Sequence, residues 1–187
     1  MPLTLKHTGT VTLKTPRLTL RRYRTEDAPA MYKNWASDPE VTRFLTWNAH
    51  KDPSETAAIV AAWVETYESE ETYHWGIEYE GELIGDLAVV LANWKHGYAE
   101  LGYCLGRAYW GKGIMSEAVK AVTAFLIREI GYHRIIIRHA VKNPASGRVA
   151  EKCGFTREGV QREHFLNRDG EFLDIAMWAI LESELPG

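Results

Sequence analysis

Arg107-Ala-Tyr-Trp-Gly-Lys-Gly-Ile-Met-Ser-Glu-Ala118 stands where a strand-like run gives way to a helix-like one. Gly111 and Gly113 flank Lys112. Residues without a Cβ let main-chain N–H groups turn inward. The helix that follows aims the positive end of its dipole at the same spot. The stretch therefore predicts a cradle for a phosphorylated ligand at a strand-to-helix junction.

Working upstream, residues 99–105 read as the strand that feeds this loop, with His96-Gly97 as the turn before it. Residues 73–79 and 83–94 read as two strands around a Glu80-Gly81 hairpin turn. Arg17-Leu-Thr-Leu-Arg-Arg22 alternates apolar and polar residues like a half-buried strand. Thr25 is expected to N-cap a helix running to about Trp35, with Glu26 and Asp27 in its first turn. Asp52-Pro-Ser-Glu55 is a stronger start signal, with Asp52 as cap, Pro53 at the first helical position and Glu55 completing a capping box. Residues 38–51, with Phe44 and Trp47, read as a loop.

Downstream, residues 113–130 read as one amphipathic helix stopped by Gly131. Arg134-Ile-Ile-Ile-Arg138 reads as a buried strand, residues 143–153 as a short helix ended by Gly154, and residues 160–165 and 172–180 as a hairpin around Asp169-Gly170. No repeat, low-complexity run or linker divides the chain. The order predicts one α+β domain over residues 1–187 with a mixed sheet, not a regular βαβ alternation.

Composition narrows the function classes. The 187 residues suffice for one domain with a real core. A formal net charge of −3 with scattered basic residues speaks against a nucleic-acid partner, and the Arg21, Arg22 and Arg24 cluster reads as a solvated strand end. No apolar stretch approaches the roughly 20 residues of a membrane span, and the first residues lack the long apolar core of a signal peptide. The two cysteines, Cys104 and Cys153, form no metal-spaced pair and read as reduced thiols of a cytoplasmic protein. The seven histidines form no metal-ligand motif, and His133 and His139 read as edge or surface residues. Trp35, Trp47 and Trp63 read as core.

Three ligands compete for the glycine loop, beside a tight turn with no ligand. Gly106 to Lys112 fits the G-x-x-x-x-G-K of a nucleoside-triphosphate loop, but Gly113 stands where the magnesium hydroxyl belongs. Gly111 and Gly113 fit a dinucleotide fingerprint, but Ser116 replaces its third glycine. The third is a pyrophosphate loop for coenzyme A.

Here the sequence resembles the GNAT acetyltransferases, whose coenzyme A loop reads R/Q-x-x-G-x-G/A. The matching segment is Ala108-Tyr-Trp-Gly111-Lys-Gly113, with Ala108 in the first position and Arg107 beside it. Asn143-Pro-Ala-Ser146, Glu151-Lys-Cys-Gly-Phe155, Thr15-Pro-Arg-Leu-Thr-Leu-Arg21 and Asp174 extend the likeness over nearly the whole chain. It is nearest to the branch that includes the bacterial ribosomal-protein alanine and serine N-terminal acetyltransferases. The resemblance implies a mostly antiparallel, twisted central sheet flanked by helices. It also implies acetyl-CoA as acyl donor, no metal, and direct transfer to a primary amine in a ternary complex. The branch favours a protein or peptide N-terminus as acceptor; a small amine (polyamine, amino acid or aminoglycoside) and a non-catalytic acyl-CoA-binding regulator are the alternatives. Exposed strand edges and the C-terminal hairpin are compatible with a homodimer.

Residue by residue, the resemblance implies that main-chain groups of Tyr103, Cys104 and Leu105 hold the pantetheine. It assigns the pyrophosphate to amides of Trp110, Gly111, Lys112, Gly113, Ile114, Met115 and Ser116. Free amines are mostly protonated at neutral pH, with pKa values near 8 for an α-amine and about 10.4 for lysine, so transfer calls for a base. Glu100, in the apolar strand just before the loop, is the candidate, against a solvated or ion-paired carboxylate. Ser146 is the candidate acid, since Ala150 stands where many members carry a tyrosine; the alternative is a helix cap or a cofactor contact. Asn143 is either cap or pantetheine ligand. Cys104 has no base in a plausible triad and is expected to be a packing residue, not a nucleophile.

Overall fold

A computed structural model describes residues 4–186. Eight strands run in the order β1-β2-β3-β4-β5-β6-β8-β7. They are β1 (Leu13–Lys14), β2 (Leu18–Arg21), β3 (His74–Tyr79), β4 (Glu82–Asn93), β5 (Tyr98–Leu105), β6 (Arg134–Ala140), β7 (Thr156–Leu166) and β8 (Phe172–Leu181). β5 and β6 pair in parallel, with Glu100 opposite Ile136, whereas β1–β2, β2–β3, β3–β4, β6–β8 and β7–β8 are antiparallel. Five α-helices accompany this mixed sheet: α1 (Ala28–Met31), α2 (Pro39–Thr42), α3 (Pro53–Thr66), α4 (Ile114–Phe125) and α5 (Pro144–Lys152). The α+β reading thus holds. The chain divides into two compact units, of which β4, β5 and α4 run through both.

The first unit holds residues 7–88 and 103–118. Its core is aromatic: Trp35 and Trp75 are fully buried, and Tyr23, Met31, Val60 and Leu83 pack in the cluster around Trp35. The Trp75 indole N–H donates to the carbonyl of Val11 at 2.7 Å, so its one polar atom is satisfied. Glu80 and Gly81 both adopt positive φ, 51° and 82°, which a two-residue hairpin turn of this hand requires. Asp52 caps α3 as expected, accepting from the Ser54 N–H at 2.7 Å, but Glu55 reaches the N–H of Lys51 instead of that of the cap.

Three expectations about the N-terminal helices fail in this unit. Thr25 does not cap the first helix. Arg24 holds the N-cap position, and its N–H is taken by the Asp27 carboxylate at 2.7 Å. The segment is also not one helix but a 3-10 turn (Thr25–Asp27), α1, and a wide π turn (Tyr32–Ala36). The Ser37 N–H and hydroxyl both return to the Tyr32 carbonyl and close that wide turn. Residues 38–51 are not all loop either. Asp38 accepts from the Glu40 N–H at 3.0 Å and Pro39 starts α2, the same cap-and-proline grammar as α3 on a shorter helix.

The second unit holds residues 89–102 and 119–186, with residues 4–6, among those described. Ile135, Ile137 and Ile180 are buried with Val122, Leu126 and Ile130 of the α4 helix and its π extension (Leu126–Ile130). Gly131 stops that helix in the left-handed region at φ 94°. β7 begins at Thr156, before the expected Val160, and forms an exposed edge whose register slips twice against β8. No helix among the described residues is long and apolar enough to cross a membrane.

Candidate active site

In the first unit, β5 ends in Tyr103, Cys104 and Leu105 and delivers the glycine loop. The approach of β4 here is close. A Cβ on Gly85 would lie 2.7 Å from the Cys104 carbonyl oxygen, inside any real contact, so glycine is required. Leu105 gives its carbonyl to the indole N–H of Trp110 at 2.7 Å, which ties the rim of the loop to the end of the strand. Gly111 and Gly113 both sit at φ 75°. No atom lies within 4 Å of a Cβ built on Gly111, and only Arg17 Nη2, at 3.7 Å, approaches one on Gly113. The Glu117 N–H donates to the Gly113 carbonyl at 3.1 Å and opens the α4 ladder. The N–H groups of Ile114 and Met115 precede the first bond of that ladder. Open space around Gly111, two left-handed glycines and a helix N-terminus fit a pyrophosphate.

The loop is held from a distance in sequence. Glu117 accepts from the Thr15 hydroxyl at 2.6 Å, the Arg17 N–H at 3.0 Å and Arg17 Nε at 2.7 Å, while Arg17 Nη1 donates to the Lys112 carbonyl at 3.0 Å. Arg107 pairs with Asp38, the cap of α2, at 3.0 Å. Burial alone would raise the Glu117 carboxyl, but the Thr15 hydroxyl and the Arg17 guanidinium outweigh it and hold the group below the usual carboxylate range. A depressed folded value means that this stabilisation is complete above the ordinary value of 4.5 and is lost as pH falls through the lowered one. The gap in thermal midpoint between the wild-type chain and Glu117→Ala is therefore expected to close on acidification below about pH 4.5, and a constant gap would remove the charge from the clamp.

β3 and β4 bring a second buried pair into this unit. His74 Nε2 lies 2.7 Å from Oδ2 of Asp86, and the Trp63 ring stands 4.3 Å from the His74 ring. Burial, with a smaller contribution from Asp86, pushes the Cys104 thiol well above its ordinary value. A thiol in that state is a poor nucleophile.

In the second unit, Glu100 is 9% exposed. It is ion-paired: its Oε2 lies 2.8 Å from Nε of Arg138 on β6. Of the two environments considered from sequence, solvated and ion-paired, the latter is realised. Arg138 was not foreseen, because its nearness to Glu100 depends on the parallel β5–β6 register. Asn143 is the cap of α5, its Oδ1 accepting from the Ser146 N–H at 3.4 Å. Ser146 is therefore in the first turn and is not the cap. His139 corrects the expectation of an edge or surface residue, since β6 lies between β5 and β8. It is half-buried on β6 and accepts from the Trp178 indole N–H at 3.0 Å. Among the described residues, no group of three or more His, Cys, Asp or Glu could hold a metal ion.

The acetyltransferase (GNAT) domain family matches residues 17–156. The chain is similar to the uncharacterized N-acetyltransferase p20 of Bacillus licheniformis, 30% identical over 178 residues that cover 94% of this chain and 99% of that protein. It is also similar to the ribosomal protein uS5 alanine N-acetyltransferase of Escherichia coli (strain K12), at 29% identity over 91% of this chain and 90% of that one. Among solved structures, a GNAT-family acetyltransferase from Bacillus anthracis superposes with a TM-score of 0.81 at 26% identity, covering 93% of this chain and 100% of that one.

Proposed function

Because the chain belongs to the GNAT family of N-acetyltransferases, we propose that it transfers an acetyl group from acetyl-CoA directly to the α-amine of a protein or peptide N-terminus. The observation that carries this reading is the buried Glu100 carboxylate, held by Arg138, on the same strand that runs into the glycine loop. The similarity to the uS5 alanine enzyme over nine-tenths of both chains supports the choice of acceptor.

Acetyl-CoA supplies an activated acyl thioester. The N–H groups from Gly111 to Ser116 hold its pyrophosphate, the Trp110 N–H being taken by the Arg107 carbonyl at 3.2 Å, and Tyr103, Cys104 and Leu105 hold the pantetheine through main-chain groups. Asn143 both caps α5 and faces the pantetheine. As the amine nitrogen bonds to the acyl carbon and the C–S bond breaks, Glu100 takes the proton the amine gives up. A β5 N–H meets the negative charge that develops on the acyl oxygen. Ser146 gives its proton to the departing thiolate and regains one from water; with thiol pKa values near 8.5, the demand on this acid is small. The protein works in the cytoplasm without a metal.

The test is thermal unfolding with acetyl-CoA, ATP–magnesium and NADH in parallel. A ligand at a hundredfold excess over its dissociation constant adds about 2.7 kcal/mol. Stabilisation by acetyl-CoA alone is expected, followed by thiol release with peptides bearing N-terminal alanine or serine. Stabilisation by a nucleotide alone overturns the donor, and thiol release with spermidine but not with the peptides overturns the acceptor.

Two substitutions probe the parts separately. Glu117→Ala removes the three hydrogen bonds that tie Thr15 and Arg17 to α4, leaving the Arg17 bond to the Lys112 carbonyl, and is expected to raise KM for acetyl-CoA about tenfold with kcat unchanged. A reduced kcat at unchanged KM would contradict this. Cys104→Ala is expected to leave kcat unchanged, with no acetylated protein trapped by mass spectrometry in the absence of acceptor; a trapped acetyl-cysteine would replace direct transfer with a two-step route.

A further inference from the structure

The second unit has a cavity that acetyl transfer does not use. It measures about 270 Å³ and is bounded by His139 of β6, Trp178 of β8, Arg157 of β7, and the Gly147, Arg148 and Glu151 stripe of α5. Successive strand residues point to opposite faces. His139 therefore lies on the other face of the sheet from Arg138 and Glu100. Gly147 lets α5 come close, since a Cβ there would sit 3.0 Å from His139 Nε2. At 3.6 residues per turn, Ser146 falls on the far side of α5 from this stripe.

The chemistry of the walls is well defined. His139 Nε2 accepts the Trp178 N–H at 3.0 Å, and its Nδ1 lies 2.8 Å from the Ala140 carbonyl, which only an N–H can satisfy. The ring is therefore neutral with its proton on Nδ1. Burial, and to a smaller extent the charge of Arg157, hold it below its ordinary value. Around this neutral floor stand two guanidinium groups and one carboxylate, a net charge of one positive. Among the described residues, neither the Arg148 nor the Arg157 guanidinium makes a hydrogen bond or ion pair. The Trp178 ring, stacked on His139 with 28° between planes, supplies a flat apolar wall.

We propose that this cavity binds a small aromatic carboxylate, its carboxylate held by Arg148 and Arg157 and its ring laid against Trp178. Guanidinium groups match a carboxylate in charge and fork geometry. The net single charge selects a monoanion, and the volume lies just below the usual range for drug-sized ligands. The site is independent of the acetyl-transfer reading.

Benzoate is the probe, titrated into the full chain while the Trp178 indole N–H and the His139 ring are followed by NMR. Saturable shifts of both signals are expected, with an upward move of the His139 pKa as the negative charge arrives. Arg148→Gln and Arg157→Gln, both at exposed positions, should each weaken binding about tenfold. No saturable shift at roughly 20 mM benzoate, a concentration ample for a ligand of this size, overturns the site. Equal binding of benzyl alcohol overturns recognition by charge, equal binding of inorganic phosphate overturns recognition of the ring, and unchanged affinity in the double arginine variant overturns the assigned contacts.

Discussion

Glu100→Gln is expected to cut kcat by at least about tenfold, toward the ~10²–10⁴ range of a positioned base, while acetyl-CoA still raises the unfolding midpoint. The substitution keeps the size and planarity of the side chain and an oxygen beside Arg138, and removes the negative charge and with it the capacity to take a proton. Arg138 keeps a polar neighbour and is itself about a third exposed, so the stability cost is about 1–2 kcal/mol and the fold survives. Steady-state kinetics at saturating donor, beside thermal shifts with acetyl-CoA, separate the two effects. Turnover equal to that of the wild-type chain would remove Glu100 from the mechanism and leave its pairing with Arg138 as a structural ion pair.

Arg21→Met is expected to destabilise the first unit by about 3–5 kcal/mol, a fall in midpoint on the order of 10 °C. The Arg21 guanidinium donates to both oxygens of Asp27, at 2.8 and 2.9 Å, and to Glu78 at 2.7 Å, with its side chain 13% exposed. Those carboxylates hold Arg21 well above its ordinary pKa despite the opposing cost of burial. Removing the cation leaves two nearby carboxylates facing one another, one of which also holds the Arg24 N–H at the first helical turn. Chemical denaturation measures the loss. Pairing the change with Asp27→Asn should give a double variant clearly more stable than the sum of the single effects, because the stranded charge is gone. Strict additivity would mean that the cluster does not act as a unit.

Much of the architecture was legible because its signals are local. Positive-φ glycines, the Glu80-Gly81 turn and the Asp52-Pro53 cap each depend on a few neighbouring residues, and the glycine loop reads the same in sequence and in space. The misreadings have their own physical reasons. Thr25 has the right chemistry for a cap, but it stands one residue inside the turn that Arg24 begins, and its hydroxyl donates to the Glu26 carboxylate at 3.2 Å. His139 looks like a strand-end histidine until β8 brings Trp178 beside it. Arg138, Arg17 and Thr15 were silent because their partners Glu100 and Glu117 are 38 to 102 residues away along the chain, and only strand register or tertiary packing joins them.

The strand order β6-β8-β7 also sets a timetable for synthesis. The ribosome releases β7 before β8, yet β8 is the strand that β7 pairs with and the one that separates it from β6. At ~5–20 residues per second, the nascent chain therefore carries an orphaned eleven-residue segment and an open β6 edge for about a second or more. Both are templates for pairing with a neighbouring chain. β8 closes both edges at once, so a chain that stops before Phe172 keeps the β6 edge unpaired and should go toward aggregates and quality-control proteases.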